Sequence, residues 1–259
     1  MLPIERLTPE EAASLQGLLF DLDDTLLDGG KLSEAAYSSL FRLREAGLGL
    51  AVVTGRPASW GDFLVRQWPI DGAVTENGAI LLVKEQRGHL DRATDEERQE
   101  RSRRLAGLVT EIKAQFPELR STSDARHRIS DFSFDIGEWE RPGVEVIERA
   151  IAFARAQGAK TIRSSVHLHV TLEEDDKASG ALRLIAEIAG LDRLRAQSSW
   201  AFIGDSENDA ACFAAFHTTI GVSNLSGELA VPPRFITQGP RGAGFAEAAA
   251  VLVDRRRNR

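Results

Sequence analysis

Short apolar runs that stop abruptly at polar clusters recur along this chain. Residues 17–20 (Gly-Leu-Leu-Phe) read as a strand that ends at Asp21, with Asp23, Asp24 and Thr25 close behind. Residues 48–53 form a second such strand, stopping at Thr54-Gly55-Arg56-Pro57, and Ala73-Val74 a third, stopping at Thr75-Glu76-Asn77-Gly78. Helical patterns lie between them. Thr8-Pro9-Glu10-Glu11 has the cap, proline and acidic residue of a helix start. Ser33 opens a helix with Ala36, Leu40 and Leu43 on one face, ended by Gly47, and another runs through Phe63, Leu64 and Gln67. Alternating strands and helices predict a parallel sheet covered by helices, with ligands beyond the carboxyl ends of the strands.

The texture changes near Lys84. Residues 91–104 are densely charged, with a capping-box pair in Thr94 and Glu97. Leu105, Leu108, Val109, Ile112 and Phe116 then make one apolar stripe, closed by Pro117. Residues 127–136 alternate as a strand with Phe132, Phe134 and Ile136 on one side. Pro142 is expected to start a helix carrying Ile147, Ala150, Ile151 and Ala154. Strands are expected around 161–163 and 166–172. These features predict an inserted domain over 85–172, with the first domain made of 1–84 and 173–259. In its second half, Lys177 begins a helix with Leu182, Ile185 and Ala189 on one face. The strand 200–203 runs into Gly204-Asp205-Ser206-Glu207-Asn208-Asp209. A helix through Cys212 and Phe213, strands at 217–222 and 235–236, and a final helix through Val253 complete the chain.

Composition narrows the possibilities. Of 259 residues, 42% are hydrophobic and 27% charged, and the formal net charge is −7 with the basic residues scattered. That balance argues against a nucleic-acid groove or an anionic membrane surface. The basic run Arg255-Arg256-Arg257-Asn258-Arg259 reads as a solvated, frayed tail. One cysteine, Cys212, provides neither an intramolecular disulfide nor a zinc cluster. The start shows no signal-peptide pattern and no run approaches the roughly 20 apolar residues of a membrane span. A soluble, cytoplasmic protein is expected.

Carboxylates at the end of a buried strand are costly unless paired, and a hard cation such as Mg²⁺ is their natural partner. A surface turn is the alternative for Asp21–Asp24 taken alone. Thr54 alone reads equally as a helix cap, and Lys177 beside Glu173-Glu174-Asp175-Asp176 as part of a solvated acidic turn.

Taken together, Asp21-Leu22-Asp23-Asp24-Thr25, Thr54-Gly55-Arg56, Lys177 and Gly204-Asp205-Ser206-Glu207-Asn208-Asp209 resemble the four motifs of the haloacid dehalogenase superfamily. The placing of the insertion resembles its subfamily IIB, whose large α/β cap follows the second motif. Asp24 and Ser206 stand where glycine is common in that pattern. The resemblance implies an α/β protein with a Rossmann-like core and an inserted α+β cap. It also implies a Mg²⁺-dependent phosphatase acting on a small phosphate ester, a sugar phosphate or phosphoglycerate glycoside, through an aspartyl phosphate. Asp21 would be the nucleophile and Asp23 the general acid–base. Thr54 and Lys177 would bind the phosphoryl oxygens. The metal would be held by Asp21, the Asp23 carbonyl and Asp205, supported by Asp209 and Asn208. Arg56 is assigned to the substrate or second-motif loop, with a structural salt bridge as its alternative; Asn77 falls on the substrate side. Ser165, His167, His169 and Thr171 share one face of a cap strand, where the two histidines either bind the substrate or lie on a solvated face. Arg126, His127, Arg128 and Asp131 are weaker cap candidates. A phosphomutase and a non-catalytic binding protein on the same fold are the competing functions, and the oligomeric state is left open.

Overall fold

A computed structural model describes residues 1–164, 166–225 and 229–257. Its main sheet runs, from edge to edge, Leu2–Pro3, Phe235–Ile236, Thr218–Gly221, Trp200–Gly204, Gly17–Phe20, Gly49–Val53, Gly72–Thr75 and Ile80–Val83. Neighbouring strands are parallel except for the last pair, which is antiparallel. The predicted apolar runs are strands buried on both faces, as expected where helices cover a parallel sheet. From Gly17–Phe20 the chain first builds toward Gly49–Val53. Much later it returns to the other side at Trp200–Gly204. The strand order therefore reverses beside Phe20 and Gly204, and the residues following them face one crevice. The antiparallel strand Ile80–Val83 was not anticipated. The tight turn Glu76–Gly78 folds the chain straight back on itself, so no helix separates this run from the preceding strand.

The insertion carries a four-stranded antiparallel sheet, ordered Lys160–Arg163, His167–Thr171, Asp131–Asp135 and Arg120–Ser121. Helices Asp95–Gln115 and Val144–Ala156 pack on it through Leu108, Ile112, Ile147, Ala150 and Phe134. The Thr94–Glu97 capping box is present as predicted. The later helix starts at Val144, past the expected Pro142, with Gly143 as its cap. The expected strand over 127–136 is shorter, because Ala125–His127 forms a 3-10 turn before it.

Three other expectations are corrected. The helix Lys177–Ala189 buries Ala178, Ala181, Leu184 and Ile185, while Leu182 is half-buried and Ala189 exposed. The strand Gly72–Thr75 and the turn after it approach a face rotated from the one predicted. The basic end is not frayed over the described residues. Helix Arg241–Arg257 continues through it, and Arg256 donates to the carbonyls of Ala12 and Leu15 at 2.7 Å each and of Ala46 at 3.0 Å. Asn258 and Arg259 lie outside the described residues. The acidic stretch before Lys177 is paired in part rather than solvated throughout: Asp175 meets Arg183 and Arg92 and Glu173 meets Arg101, while Glu174 and Asp176 are exposed. No described helix is long and apolar enough to cross a membrane.

The Lys177 helix can lie this close to the Glu76–Gly78 turn because both contacting residues are glycines. A Cβ on Gly180 would meet Gly78 Cα and O at 2.6 Å and Val74 at 2.7 Å. Two of these obstacles are backbone, which cannot rotate away. Gly180→Ala is expected to destabilise the fold by about 1–3 kcal/mol, the usual range for overpacking. Urea unfolding checks this, and an unchanged midpoint would contradict the packing described.

Candidate active site

The crevice at the strand reversal is built around one buried ammonium. Lys177, first residue of its helix and 2% exposed, donates to Asp21 Oδ1 at 2.8 Å and to Asp209 Oδ1 at 2.7 Å. Asp21 follows the central strand directly, its backbone N–H donating to the Ile203 carbonyl. Asp205 follows the adjacent strand, and its Oδ1 accepts from the Thr25 hydroxyl at 3.0 Å. Asp209 curls back so that its Oδ2 accepts from the N–H groups of Asp205 (2.9 Å) and Ser206 (3.2 Å). Gly204 permits this, since a Cβ there would stand 2.4 Å from Asp209 Oδ2.

Asp21, Asp205 and Asp209 each present a carboxylate oxygen, all within 4.8 Å of one another. Burial pushes the Asp21 carboxyl up to about 7, against the pull of Lys177 and with repulsion from Asp209 and Asp23. Burial, then repulsion from Asp21 and Asp209, pushes Asp205 up to about 9. Lys177 is held above the ordinary lysine range: burial opposes its charge, but Asp209 and Asp21 outweigh it. Three carboxylates thus face one ammonium, and the two least compensated resist ionisation. All-oxygen donors with excess negative charge fit a hard divalent cation. Asp209 has both oxygens committed, so it fits the supporting position better than that of a direct ligand. Asn208 accepts from the Ser206 hydroxyl at 2.7 Å, which orients the same loop.

Asp23 stands apart from this cluster. Arg56 grips it with two parallel bonds of 2.8 Å from Nε and Nη2, and the guanidinium lies over the Trp60 ring at 4.7 Å. Of the two readings of Arg56, the salt bridge is the contact present. The Thr54 hydroxyl accepts from the Arg56 N–H at 3.1 Å, so its own proton remains available to another acceptor. Asp24 explains its departure from glycine by taking φ 57°, a conformation Asp tolerates, and Arg241 meets it at 3.1 Å.

Asn77 is 3% exposed, yet neither its amide oxygen nor its nitrogen has a partner among the described residues. It lines a cavity of about 390 Å³ between core and cap, together with Lys177, Asn208, Thr161, Arg155 and Arg163. A narrower cleft of about 20 Å³ adjoins Asp21, Asp23, Asp205, His167 and His169, with Asn208 on the wall of both.

The cap histidines are buried, not solvated, at 3% and 2% exposure. His169 Nδ1 lies 2.8 Å from Asp131 Oδ2, and burial holds its pKa below the usual value despite that carboxylate. Because ionised Asp131 only accepts, Nδ1 carries the proton of the neutral ring and Nε2 is left as an acceptor. His167 Nε2 is 2.9 Å from Glu138. Thr171, on the same strand, donates to the Ser130 carbonyl. Arg128 and Asp131 belong to this network, at 2.9 Å from each other; Ser165 lies outside the described residues. Arg126 and His127 fall in the 3-10 turn, and neither is among the residues lining the two cavities.

Sequence reasoning missed Glu76 and Glu138. Glu76 is buried, its carboxylate accepting from backbone N–H groups on both sides of the core–cap junction. Glu138 comes within 3.9 Å of Arg56 while holding His167. Glu76 follows a strand end, but its partners are backbone groups of a distant segment, and Glu138 stands in no spacing that carries a signal.

This arrangement of a carboxylate-ended parallel sheet, a buried lysine and a cap defines a phosphatase of the haloacid dehalogenase superfamily. Residues 15–236 match the sucrose-6F-phosphate phosphohydrolase family, and the chain belongs to it. A phosphoglycolate phosphatase of Pyrobaculum neutrophilum is 26% identical over 91% of this chain and 95% of its own. In fold, the chain is similar to a Thermoplasma acidophilum protein (TM-score 0.74, 18% identity, 92% of this chain and 98% of that one). It is also similar to the Synechocystis sucrose-phosphatase crystallised with sucrose and phosphate (TM-score 0.67, 20% identity, 92% and 98%).

The raised carboxyls give a test that needs no turnover. In chelator, unfolded Asp ionises near 4, whereas folded Asp21 and Asp205 keep their protons to about 7 and about 9. The native state then binds more protons than the unfolded one, so this pair's contribution to stability falls as pH rises across that window. Mg²⁺ competes with those protons. The rise in melting temperature on adding Mg²⁺ is expected to be larger at pH 8.5 than at pH 6, and to be lost in Asp205→Asn. An equal rise at both pH values would contradict a metal held by these carboxylates.

Proposed function

We propose that this phosphatase hydrolyses a small, hydroxyl-rich phosphate monoester, a sugar phosphate or phosphoglycerate glycoside, through an aspartyl phosphate on Asp21. The single observation that carries the reading is Asp21, Lys177, Asp205 and Asp209 gathered in one buried crevice where the strand order reverses. Asp21 is the nucleophile, its carboxylate oxygen forming the bond to phosphorus as the ester oxygen leaves. Splitting the reaction this way replaces one difficult displacement by two easier ones. Asp23 gives a proton to the leaving oxygen, then takes one from the water that hydrolyses the intermediate. Lys177 and Thr54 donate to the phosphoryl oxygens, where charge accumulates in the transition state. Asp21, the Asp23 carbonyl and Asp205 would hold Mg²⁺, with Asp209 and Asn208 in support. When bound, the cation screens the anionic carboxylate from the anionic phosphoryl group.

The cavity supports the choice of leaving group. Asn77 presents a donor and an acceptor that find no partner among the described residues, and Arg155 and Thr161 supply polar groups on the same wall. A sugar hydroxyl both donates and accepts, so it satisfies such a lining better than an apolar group does. His167 and His169 sit in the cleft next to Asp21 and Asp23, within reach of groups near the scissile bond. We place the cap at residues 85–172 and the core at 1–84 and 173–259, because two hydrophobic clusters build on the main sheet and a separate one builds on the four-stranded sheet. The reading assigns no role to nucleic acid or membrane and suits a cytoplasmic enzyme.

A panel of phosphate monoesters assayed for inorganic phosphate, with sugar phosphates, phosphoglycerate and phosphoglycolate included, tests the proposal. Mg²⁺-dependent release from a hydroxyl-rich member is expected, and chelator should abolish it. Asp21→Asn should lose at least about 10³-fold, the scale of removing one member of a nucleophilic unit. Asp23→Asn should lose about 10²–10⁴-fold, the range for general acid–base help. A fully active Asp21→Asn enzyme would sink the mechanism.

A further inference from the structure

We propose that Glu76 is a positioning residue that fixes the cap in its closed place over the active site, and with it His167 and His169. The inference rests on the phosphatase reading for its catalytic consequence, but its structural part stands alone. Glu76 is 3% exposed and belongs to the core, at the end of the strand Gly72–Thr75. Its Oε1 accepts from the N–H of Ala58 at 3.1 Å and of Ile129 at 3.0 Å. Its Oε2 accepts from the N–H of Ile129 at 3.0 Å, the N–H of Ser130 at 2.6 Å and the Ser130 hydroxyl at 2.7 Å. One carboxylate therefore joins a core helix to a cap segment more than fifty positions away in sequence.

Each half of that junction leads to the site. On the core side, Pro57 caps the helix Ala58–Gln67 without a side-chain bond, and Glu76 satisfies the Ala58 N–H from outside. The backbone N–H groups of Glu76 and Asn77 donate to the carbonyls of Arg56 (3.0 Å) and Thr54 (3.2 Å). The turn thus holds the Thr54–Arg56 loop from behind. Its backbone is unusual for such a role: Glu76 and Asn77 both take positive φ, 49° and 55°. Strained conformations of this kind persist only where surrounding contacts fix them.

On the cap side, the Ser130 carbonyl accepts from Thr171 at 2.9 Å, at the end of the strand that carries His167 and His169. Arg128 donates to the Gly55 carbonyl at 2.9 Å, a second bond across the junction, and Ile129 packs against the apolar cluster of the core. Residues 128–130 form the foot of the cap, and Glu76 is the socket. An open cap would return the Glu76 carboxylate to water, so the contact can form and break without stranding a charge. That reversibility distinguishes it from the Lys177 pair at the centre of the site.

Glu76→Gln tests the proposal, because it keeps size while placing an NH₂ group against N–H donors. Hydrogen exchange at the Ile129 and Ser130 amides is measured without substrate, and steady-state kinetics with the best substrate of the panel. Charge-assisted bonds are lost, so exchange at those two amides should quicken by roughly 10- to 100-fold while the cap strands Asp131–Asp135 and His167–Thr171 stay protected. Substrate bound to both halves recloses the cap, so KM should rise about tenfold with kcat within about threefold, as for a partly populated competent state. Ser130→Ala, which removes only the hydroxyl contact, should move both readouts the same way by less, and decides the matter should Glu76→Gln fail to fold. Unchanged exchange, or a fall in kcat at constant KM, would overturn the proposal. If no panel member is hydrolysed, the phosphatase reading fails while the exchange experiment still reads the junction.

Discussion

Everything in the active crevice depends on the Lys177 ammonium shared by Asp21 and Asp209. Burying carboxylates costs several kcal/mol each unless they are paired and hydrogen-bonded, and three of them converge here. Lys177 compensates two, and the N–H groups of Asp205 and Ser206 complete Asp209. Asp205 has no bond to the ammonium and Asp21 shares it with Asp209, so burial outweighs the compensation and both carboxyls are raised. The protein thus stores its electrostatic deficit in the crevice at the strand reversal, where three carboxylates could hold a metal ion. Packing enforces the arrangement: Gly204 lets Asp209 fold over the strand end, and the Gly78–Gly180 contact seats the helix that begins with Lys177.

The same helix contact links Lys177 and the Thr54–Arg56 loop to the cap. Gly78 belongs to the turn whose other members, Glu76 and Asn77, support the Thr54–Arg56 loop, and Asn77 also lines the large cavity. Arg56 reaches Asp23 directly and comes within 3.9 Å of Asp124 and Glu138 on the cap. Asp131, Arg128 and His169 continue the polar network on the far side. Core and cap therefore meet through charged groups that are each satisfied in the closed arrangement. A junction of this sort can close over a substrate and exclude water without a large apolar interface to pull apart.

Much of this was legible in the sequence, and the reason is physical. Apolar runs ending in Asp21, Thr54 and Asp205 announce the sheet and the edge where its polar groups gather, because a buried strand has few other reasons to run straight into a carboxylate such as Asp21 or Asp205. The pairing of His167 and His169 on one strand face followed from alternation, though their burial did not. Alternation gives a face and says nothing about what covers it. Glu76 and Arg128 were less accessible still. Their partners are backbone groups of distant segments, Ile129, Ser130 and Gly55, and backbone N–H and C=O groups leave no mark in a sequence. The Lys177 helix shows the complementary limit: the small residues Ala178 and Ala181 share its buried face with Leu184 and Ile185, while the half-buried Leu182 drew the expected stripe partly away from it. Arg256 was misread for a similar reason, since its carbonyl partners tie down a run that composition alone marks as tail.

The central claim is that Asp21 carries the phosphoryl group during turnover. Acid quenching of the enzyme mixed with ³²P-labelled substrate, followed by peptide mapping, tests it most directly. The account predicts label on the peptide containing Asp21, in a linkage cleaved by hydroxylamine, that appears within one turnover and is chased by unlabelled substrate. Label on another residue, or full turnover with none trapped under any quench, would contradict it.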